Sequence, residues 1–447
     1  MTLPTASFRD EARRVALLAA PAVAQSLLQT MVFLVDRVML GRHSETALAS
    51  MQAAGPLLWS LQSGFGAFGT GTVAVIGRCI GAGDRAGAAS ALRGSVLISL
   101  VVGLLVGAAG VAGVDVILDA MARDAGPEVL AAARSYLVVL LPALPMLFIG
   151  MVTTVALQAA GDTRTPLAIA VVTNLVNVVA NWALIFGHLG APRLGVKGAA
   201  LSNALALTLE AALGVLAVTR AGAPVSLRGG GAVAGARRVL AVAWSAFAER
   251  AIFHTGYLVF VRLVNGLGAT AMAAHQAMLS VESVSFLTAD GFAVAGAARV
   301  AQGLGAKDEE AARRAGATAA MMSAALASVF ALGFLGAPGL LVQAFRDDAA
   351  TRAMAVPAMR MAAVAQVPMG VAIVLAQCLR GAGATREAFA VATAGSFAVR
   401  IAATTLFVRA MGLGLAGVWA GSACDWVVRA ALCVWRWRAG KWAKARV

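Results

Sequence analysis

The sequence predicts an all-α polytopic membrane protein: twelve transmembrane helices in two six-helix bundles related by a pseudo-two-fold axis along the membrane normal. Three observations predict it. The first is composition. Of 447 residues, 60% are hydrophobic and 13% charged, with a mean hydropathy of +0.83; this balance fits neither a disordered chain nor a soluble domain. The second is run length. Apolar stretches long enough to cross about 30 Å of hydrocarbon fall near 15–40, 47–77, 89–114, 130–158, 166–187, 197–219, 238–264, 270–297, 315–344, 354–379, 387–410 and 415–437. The third is an internal repeat. At a constant offset of 224 positions, TALASMQ at 46–52 aligns with TAMAAHQ at 270–276, and GAGD at 81–84 with GAKD at 305–308. With a small downward drift, GDTR at 161–164 meets GATR at 383–386, and GVKG at 195–198 meets GLAG at 414–417. Six spans per repeat is an even number, so the two copies share one orientation in the membrane. That is the plan of a transporter that rocks one bundle against the other.

The first span organises the rest. In PAVAQSLLQTMVFLVD, residues 21–36, Gln25, Gln29, Val32 and Asp36 share one helical face. A carboxylate at membrane depth is costly and marks a functional site by default. The plainer alternative, an interfacial anchor paired with Arg37, is weakened because Arg37 points about 100° away around the helix. Pro21 removes a backbone bond in the same segment and predicts a bend.

Span five places Asn174, Asn177 and Asn181 at i, i+3 and i+7. Such amides either serve a carboxylate or a small cation, or simply join helices, and both readings stay open. Ser202 in span six is a weaker candidate of the same kind. Residues 221–237 form the Gly-rich, weakly apolar stretch that divides the chain, giving an amino-terminal lobe at 1–220, a linker at 221–237 and a carboxy-terminal lobe at 238–447. Span seven carries Glu249, aligned with Gln25 in the repeat, with Phe253, Tyr257 and Phe260 on its face. A carboxylate among aromatic rings suits a lipophilic cation, whereas pairing with Arg250, Arg237 or Arg238 is the structural alternative. Gln276 in span eight completes the candidate substrate-cavity set. Asp425 and Arg429, at i and i+4, are expected to pair. Glu210, Glu282 and Asp290 have no visible partner, with Arg262 and Arg400 as candidate neutralisers. His254 and His275 are read either as proton relays or as structural groups.

Other classes are disfavoured. Four cysteines without a C-x-x-C spacing predict neither a metal nor a disulfide framework. The net charge of +15 is spread over short loops and the tail, with no basic face interleaved with aromatics, so no nucleic acid is expected. By the positive-inside rule both termini and the central linker are cytoplasmic, and no cleavable signal is visible at the start. The Gly-x-x-Asp turns at 81–84 and 305–308 lack the lysine and serine of a phosphate loop. No reactive constellation argues for an enzyme.

Several of these blocks together resemble the MATE family, the multidrug and toxic compound extrusion transporters, in its bacterial NorM-like form. They are Asp36 with the loop and helix start at 41–52, GRCIGAGD at 77–84, LQAAGDTRTP at 157–166, AQGLGAKD at 301–308 and CLRGAGATR at 378–386. The resemblance covers nearly the whole chain. It implies two six-helix lobes that open alternately to either side, and export of organic cations and amphipathic drugs in exchange for H⁺ or Na⁺. It implies a multi-pass, monomeric protein of the bacterial inner membrane, with lipid around it and no cofactor beyond the coupling ion. By position it gives Asp36, Asn177, Asn181 and Ser202 to the coupling site and matches Glu249 to a seventh-helix acid of the NorM-like branch; read from the residues themselves, Gln25, Gln29, Glu249, Phe253, Tyr257 and Gln276 are the substrate-cavity candidates. Asn181 stands where some relatives have Asp, and Met369 where the NorM-like branch has a helix-ten acid; both departures favour H⁺ over Na⁺. A lipid-linked saccharide flippase of the same architecture is the rival reading, disfavoured by the acidic rather than basic depth of the first half.

Overall fold

The computed structural model describes residues 8–122, 126–343 and 348–445, and within them all side chains except those of 121, 122, 251–259, 261 and 269. Twelve helical spans follow one another: α1 (Phe8–His43), α2 (Glu45–Gly81), α3 (Arg85–Ala112), α4 (Pro127–Ala159), α5 (Arg164–Phe186), α6 (Val196–Thr219), α7 (Ala232–Asn265), α8 (Ala269–Gly305), α9 (Glu309–Gly336), α10 (Ala349–Gly381), α11 (Thr385–Ala410) and α12 (Gly414–Ala439). No strand occurs among the described residues. Among the described residues, nine of the helices are individually long and apolar enough to cross a membrane. The chain is therefore a multi-pass α-helical membrane protein.

The repeat reappears in the element boundaries. α2 ends at Gly81 and α8 at Gly305; α3 runs Arg85–Ala112 and α9 runs Glu309–Gly336, each 224 positions later. A short helix follows in both halves, Val114–Ala122 and Pro338–Gln343. The Gly-x-x-Asp turns owe their sharpness to the same device twice. Asp84 accepts a bond from the Gly87 amide at 2.7 Å and Asp308 from the Ala311 amide at 2.8 Å, so each aspartate caps the helix that follows it.

The helices form two compact units. The first comprises Ala24–Ile80 and Asp84–Ala241; the second comprises Val242–Val447, Gly81–Gly83 and the start of the chain up to Val23. Helix α1 is helical straight through Pro21, and its two halves belong to different units. Residues 221–237 lie within the first unit. Arg93 donates to the Gly230 carbonyl at 2.9 Å and the Ser90 hydroxyl to the Gly231 carbonyl at 2.8 Å, and α7 is already helical from Ala232. In the first unit α6 packs against α4 and α5, and α4 against α3. In the second, α10 is the central member, packed on α8, α9 and α12. Its core is built from small residues and unbranched methionines of α8 and α10, such as Ala274, Ala277, Met278, Ala358 and Met359, closed by Phe334 and Trp419.

Candidate functional site

Asp36 is the centre of a hydrogen-bonded ring inside the first unit. Asn181 Nδ2 donates to Asp36 Oδ1 at 2.6 Å, and also reaches Asn177 Oδ1 at 3.1 Å. Asn177 Nδ2 donates to Asn203 Oδ1 at 3.0 Å. Asn203 Nδ2 closes the ring on Asp36 Oδ2 at 3.3 Å and touches the Tyr136 hydroxyl oxygen at 3.1 Å. Four helices supply the parts: α1 the carboxylate, α5 two amides one turn apart, α6 the third amide and α4 the phenol.

The local reasons are plain. Positions 177 and 181 stack on one face because they are four residues apart, and that face is buried: Asn177 is 1% exposed and Asn181 0%. Buried amides need partners, and the ring supplies nearly all of them from within. Asp36 is only half-buried. No lysine or arginine bonds to it among the described residues. The carboxylate is thus held by neutral donors and keeps a side open to exchange. One acceptor in the ring is left over: Asn181 Oδ1 is buried and has no hydrogen-bond partner.

The structure brings together three of the four residues that the sequence reading assigns to a coupling site. Asp36, Asn177 and Asn181 come together. Ser202 does not join them; its hydroxyl donates to the Gly198 carbonyl at 2.9 Å, along its own helix. The α6 contribution is Asn203, one residue on and about 100° around the helix. Tyr136 was not anticipated at all. Asn174 lies one turn before Asn177, and its Nδ2 is buried without a partner.

The proposed substrate-cavity residues are divided between the two units. Gln25 is buried and accepts from Gln158 Nε2 at 3.1 Å, which fastens α1 to α4. Gln29 and Gln276 are exposed. Glu249 is taken up by an ion pair with Arg380: Nε donates to Oε2 at 3.2 Å and Nη2 to Oε1, while Nη1 holds Gln377 Oε1 at 2.7 Å. The partner is therefore neither Arg250 nor the pair 237–238, but the arginine of the CLRG motif, 131 positions away. Phe253 and Tyr257, like His254, lie outside the described side chains. His275 is buried between the Phe260 and Trp419 rings. Glu210 sits against Gly150 of α4, whose missing side chain makes room for it. Among the described residues no group of three or more His, Cys, Asp or Glu side chains is placed to hold a metal ion.

Comparison with known proteins gives this geometry a context. The MatE family model matches twice, over residues 21–183 and 246–406, one match per repeat. The chain is similar to a probable multidrug resistance protein NorM of Thermotoga maritima, 27% identical with 96% of this chain and 93% of that one covered. It is also similar to a probable NorM of Pseudomonas aeruginosa, 30% identical over 92% of this chain and 86% of that one. Among solved structures, a MOP superfamily transporter from Pyrococcus furiosus superposes with a TM-score of 0.88 at 19% identity, covering 96% of this chain and 97% of that one. A MATE family transporter in an outward-facing conformation gives 0.85 at 19% identity, with 98% and 97% covered. The doubled family match, the near-complete overlap with these relatives and the shared twelve-helix fold lead to one conclusion: this chain belongs to the MatE family of membrane transporters.

Proposed function

We propose that the chain exports organic cations and amphipathic drugs across the bacterial inner membrane, with its termini in the cytoplasm, and that inward proton movement through Asp36 drives the export. The observation that carries this is the ring itself: one carboxylate, half-open, held by amide donors and by no cation. Similarity to probable multidrug resistance proteins supports drug-like substrates, and the family resemblance adds organic cations to that reading.

The ring suggests how a proton would act. Amide nitrogens face both oxygens of Asp36, which suits the carboxylate form. A proton on Oδ1 makes that oxygen a donor and a much weaker acceptor for Asn181 Nδ2. The unpartnered Asn181 Oδ1 is the acceptor that an O–H group would need. An amide turned over to present it gives up the bond from Nδ2 to Asn177 Oδ1, and the ring opens between α1 and α5. Protonation on the outer side would thus loosen the helix that carries Asp36 and release a bound cation; loss of the proton to the cytoplasm would restore the ring. A proton drives such a cycle only through its different affinity for the two states.

Sodium coupling is the second reading, and the same Asn181 Oδ1 is what favours it, since a bare amide oxygen beside a carboxylate is a ligand for a small cation. Against it, the other amide oxygens of the ring are already engaged as acceptors. Ethidium efflux from proteoliposomes separates the two. Efflux driven by a pH gradient alone is the expected result. Efflux that requires a sodium gradient would replace the proton by sodium, and no efflux under either would point to a lipid or metabolite substrate.

A further inference from the structure

The transport cycle gives no role to the turn that follows α12, which is dense in cations and aromatic rings. Arg436, Arg438, Lys441 and Lys444 fall within nine residues, with tryptophans at 435, 437 and 442, and residues 426–445 contain no Asp or Glu. A basic segment beside a span is ordinarily an orientation signal, and such a signal has no need to be folded.

This one is folded. α12 ends at Ala439, and Gly440 takes the left-handed conformation at φ 71°, a common way to close a helix. A side chain on Gly440 would also meet Arg313 Nη2 of α9 at 2.8 Å. Lys441–Lys444 then makes a turn of 3-10 helix. Trp442, inside that turn, is 0% exposed. Its ring stacks on Trp437 with centroids 4.1 Å apart and planes 6° apart, and its Nε1 donates to the Trp437 carbonyl at 2.9 Å. With Trp442 as the pin, Arg438, Lys441 and Lys444 stand exposed around it. Neither these three nor Arg436 makes an ion pair among the described residues, whereas Arg313 and Arg314 nearby are matched to Glu309 and Glu310.

Packing fixes the level of the turn. α9 is long and apolar enough to cross a membrane, and the turn lies against its beginning. Arg313 is 5.9 Å over the Trp442 ring, and Trp437 fills the space where a side chain on Gly316 would stand. The turn therefore sits where hydrocarbon gives way to headgroups. Trp435 is 58% exposed there, with Arg436 4.6 Å over its ring; tryptophan, apolar in body and polar at one edge, favours that layer. The repeat shows that the fold does not require these residues. In the first unit the equivalent helix start, on α3, is covered by backbone: Ser90, which aligns with Arg314, donates to the Gly231 carbonyl, and Arg93 donates to the Gly230 carbonyl.

We propose that the turn after α12 is a preformed site for the headgroups of anionic phospholipids. Lys441 and Lys444 take the phosphate diester, Arg438 adds charge, and Trp435 rests in the same layer. A basic cluster immediately beside a span attracts anionic lipid. A zwitterionic lipid brings an ammonium group that the same cations repel, so net charge is selected. A free phosphate would match the lysines but make no use of Trp435 or of the neighbouring acyl chains. The site does not depend on the transport reading; only its assignment to the cytoplasmic leaflet does.

Native mass spectrometry of the whole protein, with phosphatidylglycerol or phosphatidylcholine added in detergent, counts bound lipids and ranks their affinities. Phosphatidylglycerol should bind more tightly. A cation beside an anionic headgroup contributes about fivefold in affinity, so Lys441→Gln combined with Lys444→Gln should weaken the first phosphatidylglycerol about 25-fold and leave phosphatidylcholine unchanged. Lys441→Arg with Lys444→Arg should keep the wild-type preference. All four substitutions are at exposed positions and should leave the fold intact. Trp442→Ala keeps every charge but releases the turn, and should lose most of the preference; if it does not fold, Gly440→Ala serves in its place with the same expected loss. Equal affinity for the two lipids, or a wild-type preference in the double glutamine variant, overturns the proposal. So does a wild-type preference in the released turn, because loose charge would then suffice, and so does inorganic phosphate that competes with phosphatidylglycerol at equal concentration. Absence of ethidium efflux beside an intact lipid preference would sink the transport reading and leave this site standing. Efflux without the preference would do the reverse.

Discussion

The two units share a helical plan and differ in how they treat charge. In the first, the one acid of the site accepts from two amides, Asn181 and Asn203, which in turn bond to Asn177 and Tyr136, with no cation in the ring. In the second, acids are matched to arginines: Glu249 to Arg380, and Asp425 to Arg400 and Arg429. The repeat fixes where helices begin, end and are capped; it does not fix what their inner faces carry. Asp36 aligns with Phe260 and Gln25 with Glu249, so neither acid is duplicated. A fold of two equivalent halves thus supports two electrostatic designs, one in which a carboxylate is held by neutral amides and one in which carboxylates are matched to arginines.

The largest effect should come from removing the exchangeable charge. Asp36→Asn keeps the size of the side chain and one acceptor oxygen. It should reduce gradient-driven ethidium efflux to the level of empty vesicles while leaving the protein folded, since no buried cation loses its counter-ion. Efflux at the wild-type rate would remove Asp36 from the coupling step and with it the contrast between the units.

The mirror experiment in the second unit should hurt stability first. Asp425→Ala leaves two guanidiniums facing each other without a carboxylate, and breaking a buried pair in this way costs about 3–5 kcal/mol. A marked drop in thermal stability in detergent is expected, together with lower yield. If Asp425→Ala were as stable as Asp36→Asn, the triad would not be the structural element assigned here. A Gly395→Ala variant should lie between the wild type and Asp425→Ala, because its methyl group displaces the same pair.

How much of this was legible beforehand follows from what each signal encodes. Run length gave the spans, and the repeat gave their pairing. Depth and four-residue spacing identified Asp36, Asn177 and Asn181, because periodicity says which residues share a face. It does not say which other helix that face meets. Tyr136, 100 positions from Asp36, and Arg380, 131 positions from Glu249, enter only through tertiary packing. Ser202 stood in for Asn203 because small hydroxyls and amides are both ordinary in membrane helices, and a one-residue shift rotates the side chain out of the ring. Asp425 and Arg429 were legible as an i, i+4 pair; Arg400, on another helix, was not.

The neighbouring residues on α6 test that last distinction. Asn203→Ala strips Asp36 Oδ2 of a donor and Asn177 Nδ2 of its acceptor. An orphaned buried polar group costs roughly 1–3 kcal/mol, and efflux should slow along with the loss of stability. Ser202→Ala removes only a bond to the residue's own helix, which contributes little. It should stay within about 0.5 kcal/mol of the wild type and transport normally. Equal effects at the two positions would mean that the ring does not depend on α6.

The smallest effects should be the ones that treat the two units alike. Asp84 and Asp308 occupy the same position in the two copies, each accepting a first-turn amide at nearly the same distance, and both are exposed. Replacing an N-cap of this type by alanine costs about 1 kcal/mol. The bond is local, so the loss should not depend on the charges deep in either unit. Asp84→Ala and Asp308→Ala should therefore lower thermal stability by similar, modest amounts, with efflux retained in both. The double variant should show the sum of the two losses, since sites without shared partners add. A clear inequality between the caps would show that the chemistry of each unit reaches its turns. Equality, beside the divergence of Asp36→Asn and Asp425→Ala, would place the difference between the units in their interiors, where the side chains and not the shared helical plan decide what each one does.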